Sequence, residues 1–258
     1  MLHLKHLVKR FGGVTATNDV TLDFPEGSLS AIIGPNGAGK TTLFNQITGH
    51  LVPSSGRITF DGEDITGLKP AAIVRKGLGR AFQVANIFST MTVEEALAAA
   101  LSAHGKAAFD LASAFPRPDI KHQTEELLAL LGMEPVARRI SGEISHGDQK
   151  LLDVGLALAL DPKVLLLDEP AAGMGPEERW QMMDTVKRLW KSRNMTLIFI
   201  EHDIDLVFKT AEVVHVLCYG SVLVSGTPDA VRGNPQVIEA YLGSEADAAD
   251  TGVGKVTA

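Results

Sequence analysis

Apolar and polar positions alternate at Leu2–Leu7 and again at Asp19–Phe24, the period of half-buried strands. Leu29–Ile33 is a short apolar run that leads straight into a glycine-rich loop. From Lys40 to Thr48 the period turns helical, and Arg57–Phe60 followed by Asp61-Gly62 reads as another strand with a tight turn. Between about Thr92 and Ser145 helical patterns dominate, at Val93–Ser102 and Ile120–Leu131, with a loop holding Phe115-Pro116-Arg117-Pro118 between them. Strand-like runs resume at Val164–Leu167, Thr196–Ile200, Val213–Leu217 and Val222–Val224, the first three separated by helical stretches. Near-continuous apolar strands of this kind belong to a parallel sheet covered on both faces. The pattern predicts an α/β fold in one domain over residues 1–243, with core segments 1–88 and 151–243 and a helical lobe inserted at about 89–150. Residues 244–258 are small and polar and read as a flexible tail.

Composition narrows the function classes. The chain has 258 residues and a net charge of −7, with a pI near 5.6, so the basic footprint of a nucleic-acid binder is absent. The single cysteine, Cys218, excludes an internal disulfide and reads as a small buried strand residue. The N-terminus, MLHLKHLVKRFGG, has no uninterrupted apolar stretch of the signal-peptide kind. The longest apolar runs, such as Ala96–Leu101 and Leu156–Leu160, fall far short of the roughly 18–20 residues of a membrane span. The expectation is a chain that is soluble, or peripheral to a membrane through partners.

The loop after Leu29–Ile33 carries the first chemistry. Gly34-Pro35-Asn36-Gly37-Ala38-Gly39-Lys40-Thr41-Thr42 satisfies G-x-x-x-x-G-K-[ST] between a strand and a helix, the context that pattern requires. Glycines let backbone N–H groups turn inward around phosphate oxygens, and the helix aims its positive end at the same charge. Lys40 is placed to reach the β- and γ-phosphates, and the Thr41 hydroxyl to meet Mg²⁺. The second element is the run Val164 to Pro170, VLLLDEP, which sets Asp168 and Glu169 at the C-terminal edge of a strand, where ligands sit in open α/β sheets. Asp168 can hold Mg²⁺ through water, and Glu169 can orient and polarise an attacking water. Together the two elements read as a Mg-nucleotide site in a P-loop NTPase core, which leaves kinase, GTPase, helicase and transport ATPase open. The N-K-x-D of a GTPase is absent, and the charge balance disfavours a helicase channel.

The stretch from Ile144 to Pro170, ISHGDQKLLDVGLALALDPKVLLLDEP, resembles the nucleotide-binding subunits of ABC transporters. Ile144, Ser145, His146, Gly147 and Asp148 stand where that family has its Leu-Ser-Gly-Gly-Gln signature, and Ser145 is also a good N-cap for the helix that follows. The resemblance implies a P-loop core with an N-terminal antiparallel β subdomain and an inserted α-helical subdomain. It also implies that Ser145, His146 and Gly147 meet the γ-phosphate of ATP held by a second ATPase subunit. Gln83 resembles the glutamine that contacts Mg²⁺ and the attacking water, His202 the switch histidine on the γ-phosphate, and Phe11, 23 residues before Gly34, the aromatic that stacks on adenine. ATP and Mg²⁺ are the implied cofactors. The implied partners are a second ATPase subunit, identical or closely related, two transmembrane permease subunits and, indirectly, a periplasmic solute-binding protein. The implied place is the cytoplasmic face of the inner or plasma membrane, held peripherally, and the implied reaction is ATP hydrolysis coupled to transport.

RFGGVTATNDVTL, RAFQVANIFSTMTVEEAL and NPQVIEAYLG look most like the importer subunits for branched-chain amino acids and their relatives, and SHG with AGM is similar to the urea-importer branch. Exporter subunits for lipopolysaccharide share much of the pattern, and a non-transport ABC ATPase is the other alternative, although the long coiled-coil insertion or second cassette usual in those members is absent from this sequence. Two departures stand out. Asp148 and His146 replace the signature's glutamine and first glycine, so γ-phosphate sensing is expected to be retuned, not lost. In AAGMGPEE, Gly175 stands where many members have an aspartate, which puts a cross-dimer carboxylate contact in doubt.

Overall fold

The computed structural model describes residues 1–81, 88–104 and 118–241. In chain order, β1 (Leu2–Phe11) and β2 (Val14–Phe24) form a long hairpin, followed by β3 (Leu29–Ile33), α1 (Lys40–Ile47), β4 (Ser55–Phe60) and β5 (Glu63–Asp64). Then come α2 (Pro70–Arg75), β6 (Leu78–Ala81), α3 (Val93–His104), α4 (Pro118–Leu131), α5 (His146–Leu158), β7 (Val164–Asp168), α6 (Pro176–Arg193) and β8 (Thr196–Ile200). The last elements are α7 (Ile204–Thr210), β9 (Val213–Cys218), β10 (Ser221–Gly226) and α8 (Pro228–Arg232). These pack as two compact units: Met1–Phe24 with Ser30–Gly67 and the chain from His202 onward, and Pro25–Leu29 with Leu68–Glu201.

In the first unit, β1 pairs antiparallel with both β2 and β4. Leu2, Leu4 and Leu7 of β1 are buried, and the step of three past Leu4 marks a register shift where His6 takes φ 51°. The alternation that predicted a strand at Leu2–Leu7 therefore holds across a bulge, and the strand runs on to Phe11. All five residues of β3 are buried, as expected of a run covered on both faces, and β3 pairs in parallel with β9. The sequence expectation fails at β10. Its apolar run groups with the parallel strands in the sequence, yet it returns antiparallel to β9 through Tyr219 (φ 48°) and Gly220 (φ 79°), two left-handed residues that suit a tight hairpin, and its exposure is intermediate over most of its length.

His215 of β9 is a buried polar residue of this unit, 4% exposed, with Nδ1 2.8 Å from Ser225 Oγ and the Phe24 ring edge-on at 5.2 Å. Burial pushes its imidazole down to about 4. The unfolded chain takes up the same proton near the ordinary value of about 6.5, so it binds more protons than the folded chain between those values. The stabilisation is therefore present above about pH 6.5 and is lost as pH falls towards 4. From pH 7 to pH 5 this group is expected to cost about 2 kcal/mol of stability. Urea unfolding at both pH values, on the parent and on His215→Asn, checks it: the parent should lose more than the variant, and equal losses contradict the assignment.

In the second unit, β7 pairs in parallel with β6 and β8, and every residue of β7 and β8 is buried. β6, with Gly79 and Arg80 at its centre, has no period-2 signature and is not expected from the sequence. A Cβ at Gly79 would come 3.1 Å from Pro162 Cβ, so glycine is what lets β6 lie beside that turn. Gly155 plays a similar part for the helices. A Cβ there would meet Leu131 at 2.7 Å and Leu97 at 3.0 Å, so the missing side chain lets α5 close on α3 and α4. Thr92 and Glu95 cap the start of α3 reciprocally, with N–H to carboxylate at 2.9 Å and N–H to hydroxyl at 3.2 Å.

Candidate functional site

In the first unit the loop after β3 is built for an anion. Gly34 (φ 150°) and Gly39 (φ 98°) have backbone shapes that side chains avoid. A Cβ on Gly34 would run into the carbonyl of Leu217, and one on Gly39 into the carbonyl of Ala16. Both glycines are therefore needed for packing as well as for the turn, a requirement the sequence pattern does not reveal. α1 starts at Lys40 with no side-chain cap and no acid in its first turn, so its positive end carries no negative side chain of its own and suits an anion. Lys40 is only 7% exposed, and its Nζ donates to the carbonyls of Gly34 at 2.6 Å and Pro35 at 3.0 Å. The ammonium thus braces the loop it is expected to serve. Thr41 is exposed and Thr42 half-buried.

Phe11 by default would be a core residue. It is instead 48% exposed, with Lys9 Nζ over one face of the ring at 5.2 Å from its centre. His202 is exposed, directly before Asp203, whose carboxylate caps α7. Tyr241 is a residue that sequence reasoning missed. Burial pushes its phenol up to about 12, opposed by a hydrogen bond with the backbone of Gly34, so the C-terminal segment touches the first residue of the loop.

In the second unit β7 delivers Asp168 and Glu169 at its end. Asp168 is 3% exposed. Its Oδ2 pairs with Arg80 Nη2 at 2.7 Å, and its Oδ1 has no hydrogen-bond partner among the described residues. Glu169 is half-buried with φ 52°, a left-handed backbone that costs a non-glycine residue about 1–2 kcal/mol. Its N–H donates to the Ile200 carbonyl at 3.0 Å, and its carbonyl accepts from Lys150 Nζ at 2.8 Å. The next turn is held by the Ala171 N–H, which donates to the buried Glu201 carboxylate at 2.8 Å. Gly175 sits at the N-cap of α6, where its N–H donates to Glu178 at 3.0 Å.

Ser145 is the N-cap of α5: its hydroxyl accepts the Asp148 N–H at 3.1 Å and donates to Asp148 Oδ2 at 2.8 Å. The acid that replaces glutamine is therefore engaged by its own cap. Ser145, Gly147 and Asp148 line an open cavity of about 320 Å³ together with Met174, Glu178 and Arg188. The His146 ring lies over Gly173, where a Cβ would come 3.4 Å from Nε2. Gln83 lies outside the described residues.

The ABC transporter family profile matches residues 17–172, from within β2 to the turn after Glu169. This chain belongs to the ABC transporter family. A second profile, described as branched-chain amino acid ATP-binding cassette transporter, matches residues 221–247, the segment that carries Tyr241. The ABC transporter chain is 38% identical to the high-affinity branched-chain amino acid transport ATP-binding protein BraF of Pseudomonas aeruginosa, over 94% of this chain and 98% of that protein. It is 36% identical, over the same shares, to the corresponding LivG of Escherichia coli. The ADP conformation of MJ1267, described as an ATP-binding cassette of an ABC transporter, superposes with a TM-score of 0.82 at 30% identity, covering 94% of this chain and 98% of that one. The ABC ATPase fold expected from the sequence is thus the fold of this chain, and ATP is the nucleotide its family uses.

Proposed function

We propose that this ABC subunit hydrolyses ATP to power import of branched-chain amino acids or a related small solute such as urea, an amide or an aromatic acid. The observation that carries the reading is the match to amino-acid transport subunits along nearly the whole chain, C-terminal segment included. That match favours amino-acid uptake over the lipopolysaccharide-exporter alternative. Among the described residues no helix is long and apolar enough to cross a membrane, so the subunit would act through permease partners at the membrane's cytoplasmic face.

Each residue has a task in this reading. Lys40 and the first N–H groups of α1 take the phosphates, with Phe11 under the adenine. Asp168, whose Oδ1 has no hydrogen-bond partner among the described residues, would hold a magnesium ion through water, with the Thr41 hydroxyl and Gln83 assigned to the same ion. Bound Mg²⁺ would supply charge neutralisation at the phosphoryl group being transferred. Glu169 orients and polarises the water, and His202 contacts the γ-phosphate. Ser145, His146 and Gly147 meet the γ-phosphate of ATP on a second subunit, this chain or a close relative. Dimer closure then pulls on two permease subunits, gripped in a groove that the helices around the Gln83 loop would form.

Solute identity is tested in proteoliposomes that hold the chain with its permeases and a solute-binding protein. MgATP should drive uptake of labelled leucine, isoleucine or valine, and wild-type ATPase activity with no uptake of any amino acid would exclude the amino-acid reading. Asp148→Gln tests the altered signature. A glutamine cannot take the Ser145 proton as strongly as a carboxylate, so the serine hydroxyl is freed, and turnover should stay level or rise by up to a few-fold. A collapse of steady-state phosphate release would show that the acid has a required task.

A further inference from the structure

Lys150 takes no part in the chemistry above, yet it is one of the most deeply buried cations, 4% exposed. It is the fifth residue of α5, one turn past Ser145, His146 and Gly147. A buried ammonium is expensive unless its protons are used. Burial pulls its pKa down, while the carboxylates of Glu201, Glu169, Asp153 and Asp168 pull it back up. Its Nζ is spent on one backbone atom, the carbonyl oxygen of Glu169 at 2.8 Å. That peptide needs support, because Glu169 holds a left-handed φ of 52° directly after a wholly buried strand. On its N–H side the residue is fixed by Ile200, and the following turn by Glu201 through Ala171. The Glu169 carbonyl also accepts the Ala172 N–H at 3.2 Å, within its own turn, whereas the shorter bond from Lys150 ties it to α5.

We infer that Lys150 is a positioning residue for Glu169, a strut between the helix that begins with Ser145–Gly147 and the backbone that aims the water-orienting carboxylate. The inference rests on the proposed role of Glu169. Under that reading the start of α5 senses ATP on a neighbouring subunit, while Glu169 serves the ATP of its own chain. A small tilt of α5 would then move the Glu169 carboxylate, and one site would inform the other inside a single chain.

The test uses the full chain in the assembly that supports its ATPase activity. Lys150→Met keeps the length of the stem and removes the donor; Lys150→Arg keeps a donor and its charge. In Lys150→Met, kcat should fall at least about tenfold, an ångström of misplacement being able to cost about 100-fold, while KM for ATP stays level. Lys150→Arg should recover most of kcat. Amide exchange at Glu169 and Ala171 in the nucleotide-free chain should speed up in the Met variant and not in the Arg variant. If Lys150→Met does not fold, Lys150→Leu, which also lacks a donor, carries the same measurements. Undiminished kcat with unchanged exchange in the Met or Leu variant overturns the strut, and so does a rise in KM with kcat intact. Glu169→Gln is run alongside. If that variant turns over at the parent rate, the role of Glu169 fails whatever Lys150 does. If it is slow and Lys150→Met is fast, only the strut fails.

Discussion

Replacing Glu169 by glutamine is expected to slow ATP hydrolysis by about 10²- to 10⁴-fold, the usual contribution of a positioned acid–base group, with little change in ATP affinity. The physical case rests on what the substitution leaves alone. Glutamine has the shape of glutamate, and the backbone at 169 is fixed by Ile200 and Lys150 through main-chain atoms that do not change. Stability should move by no more than about 0.5 kcal/mol, because the side chain is only half-buried. What is lost is the capacity to polarise a water molecule, which an amide lacks. Chemistry slows while binding stays, so the ATP-loaded, closed dimer should accumulate. Phosphate release and calorimetry on the same preparation check both halves of the expectation. Parent-like turnover would remove Glu169 from the chemistry.

Lys40→Ala should weaken ATP binding by about 100-fold or more, since a charge-assisted hydrogen bond contributes about 1.5–3 kcal/mol and the ammonium is expected to make at least two. Two effects add. The phosphates lose their cation, and the loop loses the brace that ties Lys40 to the carbonyls of Gly34 and Pro35. The second effect concerns order before binding, so the empty loop should also show faster amide exchange. Global stability should fall less than affinity, because Gly34 and Gly39 remain packed against Leu217 and Ala16. Calorimetry that finds undiminished ATP affinity would count against the loop as the nucleotide site.

What the sequence made legible, and what it did not, follows from the range of the interactions. β3, β7 and β8 are wholly buried, so each reads as an unbroken apolar run. The loop is legible because its chemistry is local, a strand, three glycines, a lysine and a helix within a few residues. β6 escaped because Gly79 and Arg80 earn their places through partners far along the chain, Pro162 and Asp168. Tyr241 escaped for the same reason: its partner, Gly34, lies about two hundred residues away. Lys150 looks like any solvated helix residue until its contact with Glu169 is seen. Phe11 was legible only through the family resemblance, since an aromatic taken singly reads as core, and the structure places it at the surface.

In the proposed mechanism this subunit carries half of each reaction centre and completes it with a neighbour. The direct measurement is a structure of the Glu169→Gln chain, with its partner subunit, bound to MgATP. The account predicts each γ-phosphate between the Gly34–Thr42 loop of one chain and the signature helix start of its neighbour, which is Ser145–Gly147 where that neighbour is this chain. A γ-phosphate enclosed by one chain alone, with Ser145 facing solvent, would contradict it.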